Sequence, residues 1–126
     1  MALVIGVPSP VLSPEIAHAE VVNIDQLITL SATKEGINRD HFYKTLACES
    51  AGFTDVAIQS QVPDPTGPNG MEDSWGLAQI HLPDHPDVSR EMAQDPTFAI
   101  PYAANLFKEN PHYFHCYDKE LKKGWK

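Results

Sequence analysis

The chain has 126 residues, and its 9 Lys plus Arg against 17 Asp plus Glu give a formal net charge of −8 at pH 7. This length suits one compact domain with a hydrophobic core, and an apolar share of 42% is too high for a wholly disordered chain. The acidic balance argues against nucleic acid as a partner, because nucleic-acid-binding domains present a basic surface. No apolar run reaches the roughly 18 residues of a membrane span.

Residues 1–20 are expected to lie outside the folded domain, which we predict over residues 21–126. The short apolar run Ala2–Val7 precedes several prolines and then Ala17-His18-Ala19, a small-x-small pattern typical of signal-peptidase sites. The run is shorter than usual and lacks a basic head. Two interpretations stay open: the remnant of an export signal, and a proline-rich disordered tail.

Helical signals dominate the chain after this tail. Asn23 is a candidate cap for a first helix with an apolar stripe over Ile24–Leu30, and Gly36 is a plausible stop. Asn38 is a candidate cap for a second helix that reaches about Ser50. The first part of the domain is therefore predicted to be helical.

The middle of the chain carries turn signals and short apolar stretches instead. Val56–Val62 is strand-like, Pro63–Gly70 is typical of a turn-rich loop, and Trp75–Ile80 is too short to assign from its periodicity. His81–Asp87 contains two prolines and is predicted to be a loop. We expect a small β-hairpin or extended loop near residues 56–80.

The last part of the chain is again predicted to be helical. Asp95 and Pro96 are typical of a helix cap followed by the first helical residue. An apolar stripe over Phe98–Leu106 follows at helical spacing, and Pro101 within it predicts a later start or a kink, because proline lacks a backbone donor. Pro111 opens a last segment. The expected fold class is α+β and mainly α.

Glu49 carries the strongest catalytic signal. It lies at the end of the second predicted helix between apolar residues, so its carboxyl is expected to be partly desolvated. Desolvation raises the pKa of a carboxyl, as a general acid near neutral pH requires. Cleavage of a glycosidic bond needs such a proton donor. Taken alone, a Glu at a helix end is more often a solvated surface acid.

Three elements around Glu49 follow one another at compact spacing: Glu49-Ser50, then Ser74-Trp75-Gly76-Leu77-Ala78-Gln79-Ile80, then Asp95-Pro96 leading into an Ala-rich helix. This arrangement resembles the lysozyme-like lytic transglycosylase family, in particular the catalytic domain of soluble transglycosylases, over about residues 22–110. The resemblance implies a lysozyme-like helical domain that cleaves the peptidoglycan glycan strand.

The resemblance also implies roles for individual residues. Glu49 matches the family's catalytic acid, and Ser50 matches the neighbour that hydrogen-bonds near it. The expected substrate-binding residues are Ser50, Ser74, Trp75, Gly76, Leu77, Gln79, Ile80 and Tyr102. Trp75 keeps two interpretations, stacking on a sugar and packing in the core.

Two features depart from the family's pattern. Ala78 replaces the usual Met of the Gly-Leu-Met-Gln stretch. The late Tyr-Asn motif, whose Tyr holds the catalytic Glu in many members, is not recognisable in this sequence. Tyr102, Tyr113 and Tyr117 are the candidates for that role.

The reaction that the resemblance implies uses one carboxyl for both proton transfers. Glu49 would protonate the oxygen between N-acetylmuramic acid and N-acetylglucosamine and then deprotonate the sugar's 6-hydroxyl, which closes an anhydro ring. A hydrolytic lysozyme would add a second carboxylate to activate water. The candidates for it are Asp55, Asp64, Glu72 and Asp73. Both outcomes stay open, as does a catalytically silent glycan-binding module on the same fold.

A metal site is not expected. Two His and two Asp lie within residues 81–87, which would suit a metal-assisted hydrolase, but Pro83 and Pro86 prevent a shared helical face for His81 and His85. We expect neither a metal nor another cofactor.

Cys48 and Cys116 are the two cysteines of the chain. We predict a disulfide between them, because the small-x-small pattern indicates an oxidising destination; the alternative is that each is a small buried hydrophobic residue. The expected location is secreted or in the cell envelope, the expected partner is peptidoglycan, and the expected state is a monomer.

Overall fold

A computed structural model describes residues 23–121 and 123–124 of the chain. The tail predicted over residues 1–20, with its signal-peptide interpretation, lies outside the described residues. Within them, no helix is long and apolar enough to cross a membrane.

Helices account for most of the regular structure in the described part of the chain. They are α1 (Ile24–Glu35), α2 (Arg39–Glu49), α3 (Arg90–Ala93), α4 (Pro96–Glu109) and α5 (His115–Leu121). Short 3-10 turns lie at Pro68–Gly70, Leu82–Asp84 and Pro111–Tyr113. The strands β1 (Ser74–Trp75) and β2 (Ile80–His81) form a small antiparallel sheet. The prediction of a mainly helical α+β fold with a small hairpin is confirmed.

The predicted helix ends are largely confirmed, because local hydrogen bonds set them. The Asn38 side chain accepts the His41 backbone N–H at 2.9 Å, and the Asp95 carboxylate accepts that of Thr97 at 3.0 Å. Gly36 ends α1 in the left-handed conformation, with φ of 72°. Asn23 precedes α1 as predicted, but its side chain makes no capping hydrogen bond.

Helix α4 includes Pro101 within its length. It begins at Pro96, as Asp95-Pro96 predicts, and not at the later residue that Pro101 suggested as an alternative. The helix buries Ala99, Ile100 and Ala103 completely, together with other apolar residues of the same face. Burial of such side chains contributes about 1–3 kcal/mol each, which offsets the one backbone hydrogen bond that proline removes.

The core lies between these helices and the hairpin. Its largest fully buried side chains include Ile28 of α1, Phe42 and Leu46 of α2, Ile80 of β2 and Ile100 of α4. Helix α1 packs on α4, and α2 packs on both α1 and α5. This packing fixes the end of α2 against the start of α5.

The predicted strand Val56–Val62 is wrong, because the segment makes only an isolated bridge between Gln59 and Trp75. The Gly76 backbone N–H donates to the Ile58 carbonyl at 2.8 Å, and that of Ser60 donates to the Ser74 carbonyl at 2.9 Å. The segment therefore runs beside β1 without the length of regular pairing that a strand requires.

Gly76 begins the turn between β1 and β2, and its backbone has φ of 81°. A side-chain Cβ at this position would lie 1.8 Å from the Ala93 carbonyl oxygen. Only glycine permits both this conformation and this close approach of the hairpin to α3.

We expect Gly76→Ala to destabilise the chain strongly. Gly52→Ala is the matched control, because Gly52 has the same φ of 81° and nothing within 4 Å of its Cβ position. The control should lower the free energy of unfolding by about 1 kcal/mol from backbone strain alone. Gly76→Ala should lower it by at least about 2 kcal/mol more, because the Ala93 backbone must move. Equal denaturant midpoints for the two variants would contradict the contact.

Candidate active site

An open cavity of about 740 Å³ lies where the end of α2 meets the hairpin. Its walls come from the end of α2, residues 58–62, residues 113–115, and the individual residues Glu72, Ser74, Gln79, His81 and Asp84. The cavity is thus built from segments that are distant in sequence, and Glu49 lies in its wall.

Glu49 occupies the last position of α2, and the chain turns away directly after it. Ser50 is fully buried, donates its hydroxyl to the Leu46 carbonyl at 2.8 Å and accepts the Phe53 backbone N–H at 3.0 Å. Ala51 then adopts a left-handed backbone with φ of 55°. Ser50 therefore shapes the turn after the catalytic candidate and does not line the cavity, in contrast to its predicted role in binding.

The carboxyl of Glu49 has a strongly altered acidity. Burial raises its pKa from 4.5 to about 7, and the charge of Glu72 raises it as well. A hydrogen bond from the Cys116 backbone N–H to Glu49 Oε2, at 3.1 Å, lowers the pKa but does not cancel the effect of burial. The carboxyl is therefore protonated in a large fraction of molecules at neutral pH.

Glu72 lies in the cavity wall, as Asp84 does. Its Oε1 accepts hydrogen bonds from the hydroxyl groups of Ser60, at 3.1 Å, and Ser74, at 3.2 Å. Both serines are buried, so they hold the carboxylate in one orientation.

The other three candidates for a second carboxylate are not part of the cavity wall, and their side chains accept hydrogen bonds elsewhere. Asp55 accepts the Ala57 backbone N–H at 2.9 Å, and Asp64 accepts both the backbone N–H and the hydroxyl of Thr66. Asp73 accepts the Trp75 indole N–H at 2.7 Å. These contacts stabilise local turns and the hairpin, and of the four candidates only Glu72 lines the cavity.

Of the predicted substrate-binding residues, the cavity wall includes Ser74 and Gln79. Those that lie elsewhere are Ser50, Trp75, Gly76, Leu77, Ile80 and Tyr102. The apolar side chains of the hairpin among them, Trp75, Leu77 and Ile80, are buried in the core.

Trp75 is the clearest case of a predicted groove residue that lies in the core. Its side chain is only 6% exposed, and the Arg90 guanidinium lies 4.3 Å from the ring centroid. The core interpretation of Trp75 is therefore confirmed, and stacking of a sugar on its ring is excluded by its burial.

Gln79 holds two walls of the cavity together. Its side-chain amide donates to the Ile58 carbonyl at 3.2 Å and to the Gly76 carbonyl at 3.0 Å. Its backbone is left-handed, with φ of 50°, a strained conformation for a residue with a Cβ. The strain is sustained because the amide contacts fix the turn.

Several cavity residues were not predicted from the sequence, among them Gln59, Gln61 and Val62. No periodic or spacing signal marks them, because they reach the cavity through contacts with β1. Of the tyrosine candidates, Tyr113 lines the cavity and Tyr102 does not. Burial is the main cause that raises the pKa of Tyr113, and the charge of Glu49 raises it further.

The two histidines of residues 81–87 contact hydroxyl groups. His81 Nδ1 lies 3.0 Å from the Ser74 hydroxyl, and His85 lies between the hydroxyl groups of Tyr102 and Tyr113, at 2.8 and 2.9 Å. In the part of the chain that the structure describes, no three His, Cys, Asp or Glu side chains are grouped as metal ligands would be.

The chain matches no family, no curated protein and no solved structure in comparisons with each.

The predicted disulfide between Cys48 and Cys116 is present. It joins the residue before Glu49 to the residue whose backbone N–H donates to the Glu49 carboxyl. The bond therefore fixes the donor beside the candidate acid. Among the described residues, this disulfide and the lack of a membrane-spanning helix are compatible with a secreted protein.

We expect reduction of the disulfide to lower the free energy of unfolding by about 4 kcal/mol, because it cross-links residues 68 positions apart. Denaturant unfolding with and without reductant measures this change, and Cys48→Ala with Cys116→Ala is the control that reductant should not affect. In the reduced protein the Cys116 amide is less firmly held, so the pKa of Glu49 should rise further. Equal midpoints with and without reductant would contradict the prediction.

We expect Glu49→Gln to stabilise the chain at alkaline pH. Between pH 4.5 and about 7 the folded wild type keeps a proton on Glu49 that the unfolded chain has lost, so its stability falls as pH rises through this window. The variant lacks this titration and should gain up to about 3 kcal/mol over the wild type between about pH 4 and about pH 8. Urea unfolding at both pH values measures the gain, and Glu91→Gln, on an exposed residue, should show none.

Proposed function

We propose that the chain cleaves the peptidoglycan glycan strand between N-acetylmuramic acid and N-acetylglucosamine, by lytic transglycosylation or hydrolysis, with Glu49 as the general acid and base. The observation that carries the proposal is a partly buried carboxyl with a pKa of about 7 in the wall of an open cavity. Few ordinary surface acids keep their proton at neutral pH, and a general acid must do so.

The chemistry of a glycosidic bond fits this site. The leaving oxygen is a poor leaving group until it is protonated, and the carbon that it leaves develops positive charge. A protonated Glu49 supplies the proton, and its conjugate base and Glu72 supply negative charge close to the developing cation. Both demands are therefore met by groups that line one cavity.

The surroundings of the carboxyls also suit a sugar chain. The cavity is open, and residues with amide and imidazole groups, Gln59, Gln61 and His81, belong to its wall. Such groups hydrogen-bond to sugar hydroxyl and acetamido groups. The order of Glu49-Ser50, the Gly-Leu-x-Gln stretch and Asp95-Pro96 supports the same substrate class by resemblance. A secreted or cell-envelope location, where this substrate lies, is part of the proposal.

The test is digestion of purified peptidoglycan by the wild type and by Glu49→Gln, followed by mass analysis of the soluble products. The variant keeps the shape of the side chain but cannot transfer the proton, so its rate should fall by about 10² to 10⁴-fold. Glu91→Gln makes the same change on an exposed residue and should cleave at the wild-type rate.

The same digestion distinguishes the alternatives. An equal rate for Glu49→Gln and the wild type would refute the role of Glu49. Binding to peptidoglycan without any cleavage by the wild type would replace the proposal with a glycan-binding module. For an active enzyme, the rate should fall as pH rises above about 7, because Glu49 then loses the proton that it must donate.

A further inference from the structure

The Glu72 carboxylate is held in its orientation by buried hydroxyl groups. Its Oε1 accepts from two hydroxyl groups, those of Ser60 and Ser74, which belong to different segments and are 6% and 3% exposed. The Ser74 hydroxyl in turn contacts His81 Nδ1 at 3.0 Å. A surface acid needs no such contacts, so these hydrogen bonds indicate that the orientation of the Glu72 carboxylate matters.

The hydroxyl donors leave Glu72 able to accept a proton from a further molecule. Both hydroxyl groups contact Oε1, and a carboxylate has lone pairs on two oxygens. Donors aimed at an oxygen stabilise its negative charge. Glu49, by contrast, receives one backbone donor and is mainly surrounded by protein. Two carboxyl groups in such different environments take opposite roles in proton transfer.

We propose that Glu72 is the general base that activates water, so that the chain hydrolyses the glycan strand and does not form anhydro ends. This inference rests on the proposed function, and it selects one of the two reactions that the proposed function allows. Ser60 and Ser74 act as positioning residues, because they contact Glu72 and hold its orientation.

The proposed step is balanced by one water molecule. Glu49 donates its proton to the glycosidic oxygen, and the bond between that oxygen and the anomeric carbon breaks with its electron pair on the oxygen. Glu72 takes a proton from water as the water oxygen bonds to the anomeric carbon. The products are two shortened strands, one with a new reducing end. Glu49 is left ionised and Glu72 protonated, and proton exchange with solvent restores both.

The first experiment identifies the product that the wild type releases from purified peptidoglycan. Hydrolytic ends are one water heavier than anhydro ends, and borohydride reduces only the hydrolytic ends. We expect reducing ends. Cleavage that yields anhydro ends would overturn the role of Glu72 and leave the proposed function intact. No cleavage at all would overturn the proposed function and this inference with it.

The second experiment tests Glu72 directly. Glu72→Gln should lower the rate at which reducing ends form by about 10² to 10⁴-fold with little change in KM, and Glu91→Gln is the control. In Glu72→Ala, added azide should restore cleavage and appear in the product as a glycosyl azide, because this nucleophile needs no base. A purely structural role predicts a lower melting temperature and no azide product. That result, or a wild-type rate in Glu72→Gln, would overturn the proposal.

Discussion

The burial of the Glu49 carboxyl at the end of α2 is the constraint on which the cavity depends. An ionised carboxylate in such a place is costly, so the pKa rises to about 7 and the group keeps its proton near neutral pH. Helix α2 ends at this residue, and the buried Ser50 hydroxyl stabilises the turn that follows, because it accepts the Phe53 backbone N–H. Across the cavity wall, α5 contributes the Cys116 amide, and the disulfide holds α5 in place.

The opposite wall depends on a close approach of backbone segments. Gly76 lets the hairpin reach the Ala93 carbonyl, and the Gln79 amide then joins the turn to the Ile58 carbonyl. This arrangement brings the buried hydroxyl groups of Ser60 and Ser74 to the same carboxylate oxygen of Glu72. A helix end therefore positions the Glu49 carboxyl, and two buried hydroxyl groups position that of Glu72.

Local patterns predicted much of the fold. Caps at Asn38 and Asp95 are set by residues within a few positions, so the starts of α2 and α4 follow from the sequence. Local patterns were insufficient where packing overrides local preference: α4 continues through Pro101, and Val56–Val62 lacks regular pairing. Burial of a whole helix face outweighs one lost hydrogen bond, which no local pattern records.

The sequence by itself determined the mainly helical class, the place of Glu49 at a helix end and the pairing of the two cysteines. Only the tertiary structure decided which polar side chains share a cavity with that carboxyl. It selected Glu72 from four acidic candidates and placed Trp75 in the core instead of the groove. The physical reason is the sequence separation of the residues that interact. Helix ends depend on hydrogen bonds between near neighbours in sequence. The cavity walls come from segments tens of residues apart, which meet only when the core packs.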